Sequence, residues 1–291
     1  MLSCPELLSP AGSLEALKYA VMYGADAVYC ALPRFGMRAA PVNLTIGELH
    51  DGCIFAHARG KKVYLTLNNL PTNDELSELP QYIKDAAEAG VDAFIIADLG
   101  VLSLAKQYAP DVDVHFSTQA GITNYAAATM AYNLGAKRVV LARELTLTDI
   151  AQIRDNTPPE LELEAFVHGA MCMSVSGRCL LSSYMTGRSG NRGECAQFCR
   201  LAFDMEDADG RKIVRDKHLL SLKDLNQSDR LEELLDAGAT SLKIEGRLKD
   251  VAYVKNVTAA YRRKLDELFS RRKEYVRASS GEVRLDFHPQ L

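Results

Sequence analysis

The sequence of 291 residues contains no apolar stretch that reaches the roughly 18 residues of a membrane-spanning helix. No basic segment followed by a long apolar run stands at its N-terminus, so we expect no signal peptide and a cytoplasmic location. An excess of basic charge is also absent, because the formal net charge is −4. This balance excludes a global positive field of the kind that dominates nucleic-acid affinity, although a local basic patch can still bind RNA.

Three common catalytic signatures are missing as well. The sequence has no Gly-x-Ser-x-Gly nucleophile elbow, no His-Glu-x-x-His zinc motif and no P-loop. It therefore gives no positive support for a serine-protease or metalloprotease mechanism.

Cysteine is concentrated in one segment of the chain. Four of the seven cysteines lie within 28 residues: Cys172, Cys179, Cys195 and Cys199. Thiols stay reduced in the cytoplasm, so a group of them indicates metal or redox chemistry rather than disulfides. Four thiolates complete the coordination of one zinc ion or one iron–sulfur cluster. The spacing lacks the Cys-x2-Cys pairs usual for structural zinc, which favours a cluster, with zinc and a metal-free segment as the alternatives.

A pattern of apolar strand and amphipathic helix repeats along the chain. The predicted strands are residues 6–9, 27–31, 62–67, 93–97, 112–117, 138–142, 161–167 and 241–245. Most are continuous apolar runs, as expected for parallel strands covered by helices. Eight such units predict a (β/α)8 TIM-like barrel, with a doubly wound open sheet as the alternative.

The regular pattern is interrupted between the seventh and eighth strands. We predict a single barrel domain over residues 1–272, with residues 170–240 as a Cys-rich insertion and residues 273–291 as a C-terminal tail. A small hairpin is predicted around residues 203–214. The arginines between residues 177 and 200 form either a basic patch or solvated surface: Arg178, Arg188, Arg192 and Arg200. Barrel active sites lie at the carboxyl ends of the strands, where this insertion is expected.

Polar residues follow several predicted strands at that same end. The predicted catalytic residues are Glu164, His168, Lys243 and Glu245, and the predicted substrate-binding residues are Arg143, Arg247, Asn68 and Gln119. Arginine and lysine suit a small anionic ligand. Glu164 and His168 share a strand parity, so both are expected to face the barrel interior. Ion pairs within the barrel and helix caps are the alternative roles for such residues.

Several motifs resemble the signature of the peptidase U32 family. Residues 164–172 read EAFVHGAMC, Ser176 and Gly177 lead into Arg178 and Cys179, and residues 191–200 read NRGECAQFCR. Residues 5–12 (PELLSPAG), 221–225 (SLKDL) and 243–247 (KIEGR) match as well. The resemblance covers nearly the whole chain.

The resemblance implies two kinds of activity. The family name implies proteolysis, including collagenase-like activity. Other members act in oxygen-independent hydroxylation with a [4Fe–4S] cluster: some on the wobble uridine of tRNA, with prephenate implicated as the hydroxyl source, others on ribosomal RNA or in ubiquinone biosynthesis. By motif position, Cys172, Cys179 and Cys195 match cluster ligands, and Cys199 is the remaining nearby thiol.

The favoured hypothesis from this resemblance is an iron–sulfur hydroxylase of tRNA uridine. A peptidase is the second hypothesis. The third is a non-catalytic partner that binds a second U32 subunit.

Overall fold

Eight parallel strands form the frame of the protein. The structure, a computed structural model, describes residues 4–37, 43–175 and 178–291, so Ser176 and Gly177 of the signature lie outside the described residues. Its strands are β1 (Glu6–Pro10), β2 (Ala27–Cys30), β3 (Lys62–Leu67), β4 (Ala93–Ile96), β5 (Asp113–Phe116), β6 (Arg138–Val140), β7 (Glu162–Gly169), β8 (Phe203–Glu206), β9 (Lys212–Lys217), β10 (Leu225–Asn226) and β11 (Ser241–Ile244).

Parallel pairing runs in order from β1 to β7, continues from β7 to β11 and returns from β11 to β1. This closed ring confirms the predicted (β/α)8 TIM-like barrel. The open-sheet alternative is wrong, because an open sheet has two edge strands and this ring has none among its eight members.

Helices connect the barrel strands. They are α1 (Leu14–Met22), α2 (Ile46–His57), α3 (Asn73–Leu76), α4 (Leu79–Glu88), α5 (Leu99–Tyr108), α6 (Tyr125–Asn133), α7 (Leu147–Asp155), α8 (Leu181–Thr186), α9 (Leu231–Asp236) and α10 (Val251–Arg271). Short polar side chains begin many of them: Ser13 caps α1, and Thr45 forms a capping box with Glu48 at α2. Between β3 and β4 the chain forms two helices, because Pro80 is accepted only in the first turn of α4.

Apolar side chains are buried on both faces of the barrel strands. Outward-facing residues such as Leu7 and Val28 pack beneath the helices in the large core. Inward-facing residues such as Leu8, Tyr29 and Tyr64 form a smaller cluster inside the barrel. Burial on both faces explains why the strands read as continuous apolar runs.

The chain between β7 and β11 leaves the barrel and returns to it. Strands β8 and β9 pair antiparallel, which confirms the predicted hairpin. Strand β10 then pairs antiparallel with β7, with Leu225 opposite Gly169, and α9 leads into β11 as the helix of the seventh βα unit. We call residues 170–200, which carry the four cysteines, the cysteine segment.

The residues after α10 pack against the barrel. Lys61, beside the amino end of β3, donates hydrogen bonds to Ser279 and to the carbonyl of Ser280. The ring of Phe287 lies 5.9 Å from that of Tyr23. Residues 273–291 therefore follow the barrel surface at its amino-terminal end and along α1. Within the described ranges, no helix combines the length and apolar character required to span a membrane.

Candidate active site at the barrel mouth

Two of the predicted catalytic residues belong to an ion-pair network inside the barrel. The carboxylate of Glu164 is fully buried and accepts hydrogen bonds from Arg138 (3.0 Å) and Lys243 (2.8 Å). Arg138 also donates to Glu6 (2.6 Å) and Glu162 (2.8 Å). Burial raises the pKa of Glu164, but Lys243 and Arg138 outweigh burial and hold that pKa below its usual value. Glu164 is therefore ionised, and both of its oxygens are occupied by protein donors.

Arg143 and Glu245 meet at the mouth, which we define as the carboxyl end of the barrel strands. Arg143 Nη2 lies 3.3 Å from Glu245 Oε2, and its Nη1 donates to the carbonyl of Ala170 (3.1 Å). The guanidinium carbon lies 3.9 Å from the centre of the Phe166 ring. The two polar contacts and the stacking on the Phe166 ring fix the plane of this guanidinium, so it can present a defined edge to an anion.

The remaining predicted binding residues occupy other strand ends around the same mouth. Arg247 Nη1 donates to Thr66 Oγ1 (2.7 Å), inside the ring of strands. Asn68 Nδ2 donates to Ser117 Oγ (3.1 Å), which joins the loops after β3 and β5 across the end of β4. Gln119 lies two residues beyond Ser117, and its buried Oε1 has no hydrogen-bond partner among the described residues. The structure thus brings the four predicted binding residues to one end of the barrel.

His168 lies elsewhere. Its Nδ1 is 3.2 Å from the hydroxyl of Tyr261, and its ring packs against Tyr261 and Tyr253 of α10, outside the barrel. The expectation that His168 faces the interior is therefore wrong. The pairing of β7 with β11 shifts register between Lys243 and Ile244, and such an irregularity breaks strand alternation. Burial lowers the pKa of His168, which favours a neutral imidazole at neutral pH.

Arginines of the cysteine segment hold it against the loops that follow β3 and β5. Arg192 donates to the carbonyl of Leu70 and to both carboxylate oxygens of Glu75, the latter at 2.7 and 3.0 Å. Arg178 donates to the carbonyl of Ala120 (2.6 Å). Leu70 and Ala120 lie just beyond the carboxyl ends of their strands. The cysteine segment therefore lies across the mouth.

Three of the predicted metal ligands lie near enough to the fourth, Cys199, to raise the pKa of its thiol. Burial raises the pKa of the Cys199 thiol, Arg200 lowers it, and Cys195, Cys172 and Cys179 raise it further. In the described parts of the chain, however, no group of three or more His, Cys, Asp or Glu side chains is arranged to hold a metal ion. The thiols are thus neighbours that do not converge on a single point.

Hydrogen-bond donors face two of the sulfur atoms. The backbone N–H of Leu181 donates to Cys179 Sγ (3.4 Å), and the Ser182 hydroxyl lies 3.9 Å from Cys195 Sγ. The same hydroxyl accepts a hydrogen bond from the Ala196 N–H (3.0 Å), so it is fixed in position. Donors around cysteine sulfur stabilise its thiolate form.

Among the described residues, the mouth has no nucleophile paired with a histidine as in serine and cysteine proteases. In the part of the chain that the structure describes, no Ser, Thr or Cys side chain is hydrogen-bonded to a histidine. The side-chain hydrogen bonds of histidine there are those of His57 with Asp92, His168 with Tyr261 and His218 with the Arg200 carbonyl. The geometry therefore lacks the nucleophile–base pair of a triad.

Comparison with known proteins decides the family. Residues 12–289 match the model of peptidase family U32. The chain belongs to this family. Its relatives carry names of two kinds, which correspond to the two activities that the sequence motifs imply.

Two of these relatives are named for RNA modification. The 23S rRNA 5-hydroxycytidine C2501 synthase of Escherichia coli strain K12 is 43% identical over 284 residues, which cover 98% of this chain and 43% of that protein. The tRNA hydroxylation protein P of Helicobacter pylori strain J99 is 44% identical over 275 residues, covering 91% of this chain and 65% of that protein. The chain thus spans between two fifths and two thirds of the length of these relatives.

A third relative is named for proteolysis. The collagenase of Porphyromonas gingivalis strain W83 is 35% identical over 273 residues, covering 90% of this chain and 65% of that protein. Among solved structures, the U32 peptidase Mk0906 superposes with a TM-score of 0.54 at 17% identity, covering 84% of this chain and 94% of that one. This likeness supports the fold alone.

Sequence reasoning missed several residues that organise the site. Arg138 is the first residue of β6 and the centre of the interior ion-pair network. No pattern in the sequence indicated that role. The sequence left open whether Arg178 and Arg192 form a basic patch or solvated surface. In the structure both attach the cysteine segment to the loops at the mouth. The unusual density of arginine beside the cysteines was the one available signal. The role of these arginines depends on contacts with residues more than fifty positions away along the chain.

Proposed function

We propose that this protein is an oxygen-independent hydroxylase of RNA that uses a [4Fe–4S] cluster, with the wobble uridine of tRNA as its target and prephenate as the hydroxyl donor. The observation that carries the proposal is the attachment of the cysteine segment across the mouth by Arg178 and Arg192. The relatives named for rRNA and tRNA hydroxylation support RNA as the acceptor.

The cysteine segment supplies the donors for the cluster: Cys172, Cys179, Cys195 and Cys199. When bound, the cluster would transfer electrons or polarise the hydroxyl donor. The other three thiols lie near enough to Cys199 to raise its pKa, and four thiolates are the number that binds one such cluster. The donors at Leu181 and Ser182 suit sulfur ligands of a cluster.

The mouth supplies the binding groups for an anionic hydroxyl donor. Arg143 and Arg247 each carry a planar guanidinium that can bind a carboxylate through two N–H groups. Glu245, beside Arg143, is the carboxylate placed to accept or return a proton there. The ion pair of Glu164 and Lys243 lies deeper in the barrel, beneath the mouth.

Mass spectrometry of nucleosides tests this function. A strain lacking the gene should lose a 5-hydroxylated pyrimidine from its tRNA, and the wild-type gene should restore it. A Cys195→Ser variant should fail to restore it although the protein accumulates normally. An unchanged tRNA and rRNA nucleoside profile in the deletion strain would contradict the proposal, and a changed quinone profile would redirect it to small-molecule hydroxylation.

Proteolysis is the second candidate function, favoured by the relative named collagenase. Its test is the cleavage of denatured collagen by the purified protein, compared with an Arg143→Leu variant. Cleavage that this substitution abolishes would place a peptidase site at the mouth. Absence of cleavage in both proteins would remove the candidate.

A further inference from the structure

Two buried carbonyl oxygens at the mouth have no hydrogen-bond partner among the described residues: Asn69 Oδ1 and Gln119 Oε1. Asn69 is 6% exposed, and its backbone N–H is held by the carbonyl of Phe35 (3.2 Å). Gln119 lies in a short 3-10 helix, Thr118–Ala120, that follows β5. A buried acceptor without a donor lowers the free energy of unfolding. Each of these two oxygens therefore requires an explanation.

The two amides lie on loops that touch each other. Asn68, the neighbour of Asn69, donates to Ser117, which is two residues before Gln119. The same two loops carry the backbone carbonyls that bind the arginines of the cysteine segment. Each carbonyl belongs to the residue that directly follows one of the two amides. Arg192 binds the carbonyl of Leu70, and Arg178 binds the carbonyl of Ala120. Both amides therefore lie where the barrel mouth and the cysteine segment meet.

We propose that Asn69 and Gln119 recognise the base to be modified, which enters between the mouth and the cysteine segment. This inference rests on the proposed function, because it takes a pyrimidine of single-stranded RNA as the ligand. An amide offers one acceptor and one N–H2 donor, the pair of groups that matches the hydrogen-bonding edge of a base.

The donors that the two carbonyl oxygens lack are present on both pyrimidines. Cytosine carries an exocyclic amino group, and uracil carries a ring N–H. The amide N–H2 groups can donate in return to a base carbonyl or ring nitrogen. Bringing the base beneath the cysteine segment requires it to leave its stack, as in other enzymes that act on a base. Hydrogen bonds to buried acceptors then compensate for the lost stacking.

The experiment measures the preference for a pyrimidine. Fluorescein-labelled oligoadenylates that contain one cytidine, one uridine or one abasic site are titrated with the full chain, purified anaerobically, and fluorescence anisotropy gives each Kd. The variants are Asn69→Leu and Gln119→Met, which keep the size of the side chain and remove its polar groups. Matched controls are Asn133→Leu and Gln107→Met, which change exposed amides on α6 and α5.

The wild type and both controls should bind the pyrimidine oligonucleotides about tenfold more tightly than the abasic one. Each mouth variant should lose most of this preference while its affinity for the abasic oligonucleotide stays the same. Its melting temperature should equal or exceed that of the wild type, because the variant no longer buries an unsatisfied acceptor. A purely structural amide would instead lower the melting temperature and leave the preference intact.

Failure of the inference is separable from failure of the function. If the wild-type preference survives both substitutions and both variants restore the modified nucleoside in the deletion strain, the amides bind ordered water and only the inference is overturned. If the deletion strain keeps a normal nucleoside profile, the function is overturned and the inference with it.

Discussion

The interior of the barrel and its mouth both bury polar groups, but they satisfy them differently. In the interior, the Glu164 carboxylate is enclosed by Arg138 and Lys243, and the buried His115 Nδ1 is the interior atom that lacks a hydrogen-bond partner among the described residues. At the mouth, buried atoms of Arg143, Asn69 and Gln119 lack hydrogen-bond partners among the described residues. An ion-pair network whose members bind one another stabilises the fold. Unpaired polar groups beneath the cysteine segment are instead available to a ligand. The comparison therefore separates the ion pairs that stabilise the barrel from the polar groups at the mouth that can bind a ligand.

The largest expected effect comes from breaking the interior network. Arg138→Leu leaves the buried carboxylate of Glu6 without its cation and leaves Glu164 paired with Lys243 alone, so it should lower the free energy of unfolding by about 3 to 5 kcal/mol. Arg143→Leu, the same change at the mouth, should cost far less stability and should abolish hydroxylation. Denaturant unfolding and nucleoside analysis compare the two variants. Equal losses of stability would contradict the division between the regions.

A second contrast lies between cysteines. Cys195→Ser should remove most of the iron and labile sulfide from anaerobically purified protein while the barrel stays folded. Cys53 lies on the buried face of α2, and burial raises the pKa of its thiol to about 12, so it is a packed thiol. The Cys53→Ala protein should therefore retain the iron of the wild type, and its free energy of unfolding should be about 1 kcal/mol lower. Iron retained by Cys195→Ser would exclude Cys195 as a ligand.

The smallest expected effect concerns pH. Arg192 and the cap of Thr72 lower the pKa of Glu75 to about 2. Because the folded-state pKa lies below the usual value, the pair of Glu75 and Arg192 stabilises the attachment of the cysteine segment at neutral pH. This contribution should fall as the pH decreases from about 4.5 towards 2.

Hydrogen exchange of peptides from residues 170–200, corrected for intrinsic rates, measures this attachment. Exchange in the wild type should rise about two- to fivefold as the pH falls through that window, and Glu75→Gln should exchange faster than the wild type at neutral pH and converge with it at the acid end. Glu48→Gln, which removes a comparable capping carboxylate on α2, is the control and should leave these peptides unchanged. A Glu75→Gln protein that retains the pH response would show that another group controls the attachment.

The barrel could be predicted from sequence because its signals are local. The run at residues 62–67 is apolar, rich in β-branched and aromatic residues and bounded by turns, and β3 has these bounds. Each strand end then places its polar residues at the mouth, so Arg143, Asn68, Gln119 and Arg247 could be grouped without coordinates.

The parts that escaped prediction depend on distant contacts. The orientation of His168 follows from a register shift against β11, a strand about 75 residues away along the chain. The roles of Arg178 and Arg192 depend on the carbonyls of Ala120 and Leu70. Whether an amide such as Asn69 is satisfied depends on every neighbour in three dimensions, which no local pattern contains.

Electron paramagnetic resonance of the reduced, anaerobically purified protein tests the central claim most directly, namely that the cysteine segment holds a cluster against the mouth. The account predicts a [4Fe–4S] signal that changes when prephenate is added, and the same signal without this change in Arg143→Leu. A protein that carries no iron–sulfur signal, or whose signal prephenate leaves unaltered, would contradict it.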